Sequence, residues 1–157
     1  MPGSRLLLKG SGLDVDRLHA RLAEAGLDLA RVDLMPSAPS VAEHLATYSK
    51  IDIALDTFPY HGTTTTCEAL WMGVPLVTRV GDRHAARVGV SLLHAAGHPE
   101  WIAQSEDEYV RLAAALACDL AKRTALRTSL REDLRRSPLL DHAGQAARFG
   151  QDRKSVV

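Results

Sequence analysis

Short apolar runs alternate with amphipathic helical stretches almost from one end of the sequence to the other, and this alternation restricts the fold to a mainly parallel sheet with helices on both faces. Leu6 to Leu8 form a continuous apolar run, as expected of a strand buried on both sides. Val15, Leu18, Leu22 and Ala25 follow on one helical face, with Asp14 able to cap the start and Gly26 able to supply the left-handed stop. Val32 to Met35 reads as a second strand ending at Pro36. Ser40 and Glu43 form a capping box ahead of a helix marked by Val41, Leu45 and Tyr48. Ile51 to Leu55 reads as a third strand, Thr65 to Met72 as a helix stopped by Gly73, and Pro75 to Val80 as a fourth strand. Ala85, Val88, Leu92 and Ala95 mark a helix ending at Gly97, and Trp101 to Ala103 a last brief strand. Ser105 and Glu108 form a second capping box before Tyr109, Leu112, Leu116 and Leu120. After a break, Leu126, Leu130 and Leu134 recur every four residues. From Ser137 the pattern fades. The reading is one domain over residues 1–150, with 151–157 a disordered or artefactual tail.

Composition narrows the function classes. The 157 residues carry 19 Lys plus Arg against 19 Asp plus Glu, and this balance argues against a nucleic-acid-coating protein or one held electrostatically to a membrane. No apolar run approaches the ~20 residues that span a bilayer. Cys67 and Cys118 are too few for a disulfide framework and lack the spacing of a zinc site, so the expectation is two reduced thiols in a cytoplasmic protein without a bound metal.

Open parallel sheets bind ligands beyond the carboxyl ends of their strands, where the next helices present their N-termini. Lys9, His44, the stretch Asp56 to Glu68, and Gly81 to His84 all fall on that edge. The most informative stretch is Gly62 followed by Thr63, Thr64, Thr65 and Thr66. A glycine permits close backbone approach, and hydroxyls and free amides at a helix start make a cradle for a phosphate or diphosphate. The competing reading is that one threonine caps the helix and the others are filler. Four in a row exceed what a cap requires. Glu68, one turn inside, is placed either to accept ribose hydroxyls or simply to favour the helix dipole. His44 on the same edge could meet a base or ribose, and Lys9 could neutralise phosphate, though both residue types are common as plain surface groups. Trp71 and Met72 read as core, and the arginines from Arg123 to Arg136 as a solvated helix face. No P-loop lysine, G-x-S-x-G elbow or H-x-x-x-H pair is present.

Three stretches together resemble the C-terminal catalytic lobe of the O-GlcNAc transferase and SPINDLY family of protein glycosyltransferases. They are Asp56 to Tyr60, Gly62 to Pro75, and Arg87 to Leu93, with further matches at Asp107 to Val110, Leu126-Arg127, Leu130-Arg131 and Ser137 to Leu139. The resemblance implies a Rossmann-like lobe of the two-lobed GT-B type. It also implies that the threonine run holds the diphosphate of a nucleotide sugar, that Glu68 holds the ribose and that His44 lies near the nucleoside; the role of His61 stays open. The implied reaction is inverting, metal-free transfer of GlcNAc from UDP-GlcNAc, or fucose from GDP-fucose, to Ser or Thr of a protein or peptide acceptor.

The family's N-terminal lobe, its tetratricopeptide repeats and an upstream lysine for the leaving diphosphate are missing from these 157 residues. The expectation is therefore a donor-binding part of a longer enzyme, inactive alone, with its catalytic base elsewhere. A nucleotide-sugar epimerase lobe and a noncatalytic nucleotide-binding module remain as alternatives. The epimerase would need a pair of acid and base carboxylates that the ligand edge does not show.

Overall fold

The computed structural model describes residues 3–10, 12 and 14–152; of the expected tail 151–157, residues 151 and 152 belong to a helix and 153–157 lie outside the described residues. The chain divides into two compact units, Met1–Ile51 and Asp52–Val157.

In the first unit, β1 (Leu6–Lys9) pairs in parallel with β2 (Val32–Met35), Leu6 opposite Val32 and Lys9 opposite Met35. Between them runs α1 (Val15–Glu24), whose first turn is capped by Asp14 through the Arg17 amide. The predicted stop at Gly26 is present, with φ of 78°, a conformation that costs a glycine little. The predicted N-cap at Ser40 also forms. The Ser40 hydroxyl accepts from the Glu43 amide at 3.2 Å and opens α2 (Val41–Ala46), which tightens into a 3-10 turn over Thr47–Lys50.

The second unit holds a parallel sheet in the order β3 (Ala54–Leu55), β4 (Leu76–Arg79), β5 (Ile102–Ala103). The third strand is shorter than the apolar run suggested. Only Ala54 and Leu55 find partners, Leu76 and Val77, so Ile51 to Ile53 lead in without pairing. Helix α3 (Thr64–Trp71) joins β3 to β4 and stops at Gly73, whose φ is 76°. A Cβ on Gly73 would sit 2.5 Å from the Arg127 carbonyl oxygen, so the stop is also where two backbones meet. Next come α4 (Val88–Ala96), α5 (Glu106–Cys118) and α6 (Leu120–Arg136). Ser105 caps α5 as the sequence predicts, and Asp119 makes the break before α6 by capping it through the Lys122 amide. Leu126, Leu130 and Leu134 are buried with Leu70, Val77, Leu93 and Trp101, each such side chain contributing about 1.5 to 3 kcal/mol.

Two further features differ from the sequence reading. Residues His142–Asp152 form α7 where the pattern had faded; Asp141 caps it by accepting from the Gly144 amide at 2.9 Å. The arginines of α6 are not simply a solvated face. Arg123 Nη1 donates to the Leu116 carbonyl, Arg127 Nη1 to that of Met72 and Arg131 Nε to that of Trp71. The carbonyls ending a helix have no partners within it and carry partial negative charge, so cations settle there.

Candidate functional site

The loop from Asp56 to Thr63 links the carboxyl end of β3 to the start of α3, and its shape comes from bonds at both ends. The Asp56 amide donates to the Val77 carbonyl at 3.0 Å, extending the sheet by one residue. Its carboxylate then turns inward. Oδ1 accepts from the Gly62 amide at 2.9 Å, and Oδ2 from the Thr78 hydroxyl at 2.7 Å. A buried carboxylate is tolerated only when donors replace its lost water, and both oxygens have one.

His61 joins this cluster. Its Nδ1 accepts from the Gly89 amide at 3.1 Å and lies 3.3 Å from Asp56 Oδ2. Nδ1 is therefore the accepting nitrogen of this ring. The backbone of His61 donates to the Ala85 carbonyl at 2.8 Å. Through this one residue the loop after β3 is fastened to the turn after β4 and to the first turn of α4. The ring is 2% exposed, so His61 supports the site from beneath.

The four threonines separate by role. Thr66 is buried and its hydroxyl donates to the Gly62 carbonyl at 3.0 Å, closing the first turn of α3. Thr63, Thr64 and Thr65 are exposed. Thr63 is the N-cap residue, yet its side chain makes no capping hydrogen bond, so the simple capping role weighed for one threonine is not how this helix starts. A Cβ on Gly62 would crowd Thr65 Oγ1 and lie 3.1 Å from Thr66 Oγ1, so a larger residue there would require the threonine side chains to move. Glu68 is half-buried one turn further along. Burial pushes the neighbouring Cys67 thiol above its usual range, and the charge of Glu68 adds to the shift.

In the first unit, Lys9 and His44 come together: Lys9 Nζ donates to His44 Nδ1. An ammonium has donors only, so His44 must accept on Nδ1 and hold its proton on Nε2. The ring packs edge-on to Tyr48 with centroids 5.7 Å apart. Arg87 Nη1 donates to the Gly81 carbonyl, while His84 opens the 3-10 turn that follows.

Residues not singled out from the sequence complete the arrangement. Thr78 and Gly89 hold the buried carboxylate and imidazole, and the Tyr109 hydroxyl donates to the Asp56 carbonyl at 2.9 Å. Burial, with the charge of Asp56, raises the Tyr109 pKa to about 12. The signal available for Asp56 was its place, a carboxylate directly after the apolar run Ile51 to Leu55. Among the described residues, no group of three or more His, Cys, Asp or Glu is arranged to hold a metal ion, and no helix is long and apolar enough to cross a membrane.

Parallel strands feeding the amino end of a helix, with helices packed on the sheet, define a Rossmann-like lobe. Residues 6–148 match the family model described as glycosyl transferase family 41. The chain is 47% identical over 160 aligned positions to a protein of Petunia hybrida named probable UDP-N-acetylglucosamine–peptide N-acetylglucosaminyltransferase SPINDLY, covering 99% of this chain and 17% of that protein. It is 48% identical to the rice (Oryza sativa subsp. japonica) protein of the same name, covering 90% of this chain and 16% of that one. Among solved structures it superposes on a mutant O-GlcNAc transferase of Thermobaculum terrenum with a TM-score of 0.87 and 39% identity, over 96% of this chain and 30% of that chain. The chain belongs to glycosyl transferase family 41, and its fold is that of the catalytic lobe of the GT-B type. It spans about one sixth of the length of the curated plant relatives it matches.

Proposed function

We propose that the start of α3 holds the diphosphate of a nucleotide sugar, and that this chain is the donor-binding part of an inverting protein glycosyltransferase. The observation that carries the reading is the division of labour among the threonines. Gly62 and Thr66 hold the turn together from within, whereas Thr63, Thr64 and Thr65 are exposed at a helix start whose N-cap side chain, Thr63, makes no capping bond. Amide donors, hydroxyls and the positive end of the helix dipole then converge on one place and meet the charge of an anion. In the reaction the same donors would steady negative charge growing on the leaving diphosphate, a form of stabilisation that often dominates such catalysis. Glu68 is assigned to the ribose hydroxyls. Within its own unit, His44, oriented by Lys9, is assigned to the nucleoside, where its Nε2 proton is suited to a carbonyl acceptor. The names of the plant relatives and the solved homologue support GlcNAc as the transferred sugar, with fucose from GDP-fucose as the other donor to test, and protein Ser or Thr as acceptor.

The reading is tested by calorimetric titration with UDP and GDP of the wild-type chain and of a Thr64→Ala, Thr65→Ala double variant. Each charge-assisted hydrogen bond lost is worth about 1.5 to 3 kcal/mol, so affinity falls by about ten- to a hundredfold if one hydroxyl contacts the ligand and by more than about a hundredfold if both do. Because both side chains are exposed, stability changes by no more than about 0.5 kcal/mol. Unchanged affinity in a folded double variant overturns the assignment.

A further inference from the structure

We propose that Asp56 is a positioning residue of the donor site: its buried carboxylate shapes the entry to α3 without touching the ligand. The inference rests on the diphosphate reading above and adds a residue whose work is done from below.

Asp56 is held on every side. Its amide is bonded to Val77 of β4, its carbonyl accepts from Tyr109 of α5, and its Oδ2 accepts from Thr78 of β4, so three bonds from two elements of the packed core immobilise it. The remaining oxygen, Oδ1, reaches forward six residues to the Gly62 amide. Gly62 directly precedes the N-cap residue Thr63, and its carbonyl receives the Thr66 hydroxyl. The placement of the first turn of α3 therefore passes from the sheet through one carboxylate to one amide. On the opposite side, residue 61 is clamped by Ala85 and Gly89.

The chemistry argues for placement rather than for contact or bulk. With a side chain 3% exposed, a carboxylate is costly to bury, and a position needed only to fill space is cheaper to fill with an apolar residue. A negative charge is also the wrong sign to contact a diphosphate. What Asp56 supplies is two acceptor sites at fixed separation, one facing the sheet and one facing the loop. Asparagine retains the forward acceptor as its carbonyl oxygen, and its amide can donate toward Thr78 Oγ1 or His61 Nδ1. Alanine retains neither.

The experiment titrates inorganic pyrophosphate, UDP and GDP into the 157-residue chain and into Asp56→Ala, Asp56→Asn and the threonine double variant, with circular dichroism counting folded molecules. Asp56→Ala is expected to weaken pyrophosphate and whichever nucleotide binds by the same factor, about tenfold or more, since even ångström-scale misplacement of a site is expensive. Asp56→Asn is expected to stay within about threefold of wild type, under 0.7 kcal/mol. Wild-type affinity in folded Asp56→Ala overturns this inference while loss in the threonine variant leaves the diphosphate reading standing. No loss in the threonine variant removes that reading and this inference with it. Asparagine as weak as alanine also overturns the inference, because the charge rather than the forward acceptor is then what matters. Should Asp56→Ala not fold, Thr78→Val decides, since it removes only the Oδ2 donor at nearly constant shape: weakened pyrophosphate binding supports the inference, and unchanged binding overturns it.

Discussion

Gly89→Ala sets two physical effects against each other, and the structure says which wins. Gly89 lies in the first turn of α4, where alanine is the better helix former by up to about 1 kcal/mol. Its Cα, however, faces the buried cluster. A Cβ there would lie 2.7 Å from Thr78 Oγ1 and 3.1 Å from Thr78 Cβ, and closer still to Asp56 Oδ2. None of these neighbours is the loose end of a flexible side chain. Overpacking a site of this kind costs about 1 to 3 kcal/mol, and disturbing the Thr78 bond to a carboxylate about 1.5 to 3 more. Subtracting the propensity gain leaves a net loss of about 1.5 to 5 kcal/mol. For a chain of this size each kcal/mol lowers Tm by about 2 to 4 °C, so a mid-range loss of about 3 kcal/mol gives 6 to 12 °C. Urea and thermal denaturation of the variant measure this directly, with Gly150→Ala as control. That glycine lies in α7, where an added Cβ meets nothing within 4 Å, and the same substitution there is expected to be neutral or slightly stabilising. A Gly89→Ala protein as stable as wild type would refute the claim that Asp56, Thr78 and Gly89 are packed as described.

Three further outcomes follow. Glu68→Ala should weaken UDP or GDP far more than inorganic pyrophosphate in parallel calorimetric titrations; equal losses would return Glu68 to a helix-dipole role. Spectrophotometric titration should show one tyrosine ionising near pH 12 and missing from Tyr109→Phe. Because the folded pKa lies above the ordinary value of 10.0, the folded state favours the neutral phenol, and this contribution to stability is complete below pH 10 and lost as pH rises towards 12. Iodoacetamide at neutral pH should label exposed Cys118 before Cys67, whose raised pKa keeps its thiolate scarce; peptide mass mapping that finds Cys67 labelled first contradicts this.

What could be read from the sequence was the part governed by local rules. Capping boxes at Ser40 and Ser105, glycine stops at Gly26, Gly73 and Gly97, and short apolar runs are decided within a few residues, and the structure has each of these caps and stops in place. The third strand came out short because pairing depends on a partner: only Ala54 and Leu55 meet β4. Helix α7 was missed although Asp141, three residues before Gly144, is a readable cap. The arginines of α6 were misjudged for a related reason, since the carbonyls they serve include those of Trp71 and Met72, more than fifty residues away. The threonine stretch was legible as a candidate, but its sorting into exposed Thr63 to Thr65 and buried Thr66 needed the turn itself. Asp56 and His61 were placed on the ligand edge from the sequence, but their bonds to Thr78 and Gly89 belong to tertiary structure alone.

The central claim, that the start of α3 is where a nucleoside diphosphate binds, is tested most directly by amide chemical-shift mapping of the isotopically labelled chain during titration with UDP and with GDP. The account predicts that the Gly62 to Cys67 amides shift furthest and saturate together with one of the two nucleotides. Saturating shifts that leave those amides in place, or no shift with either nucleotide at millimolar concentration, would contradict it.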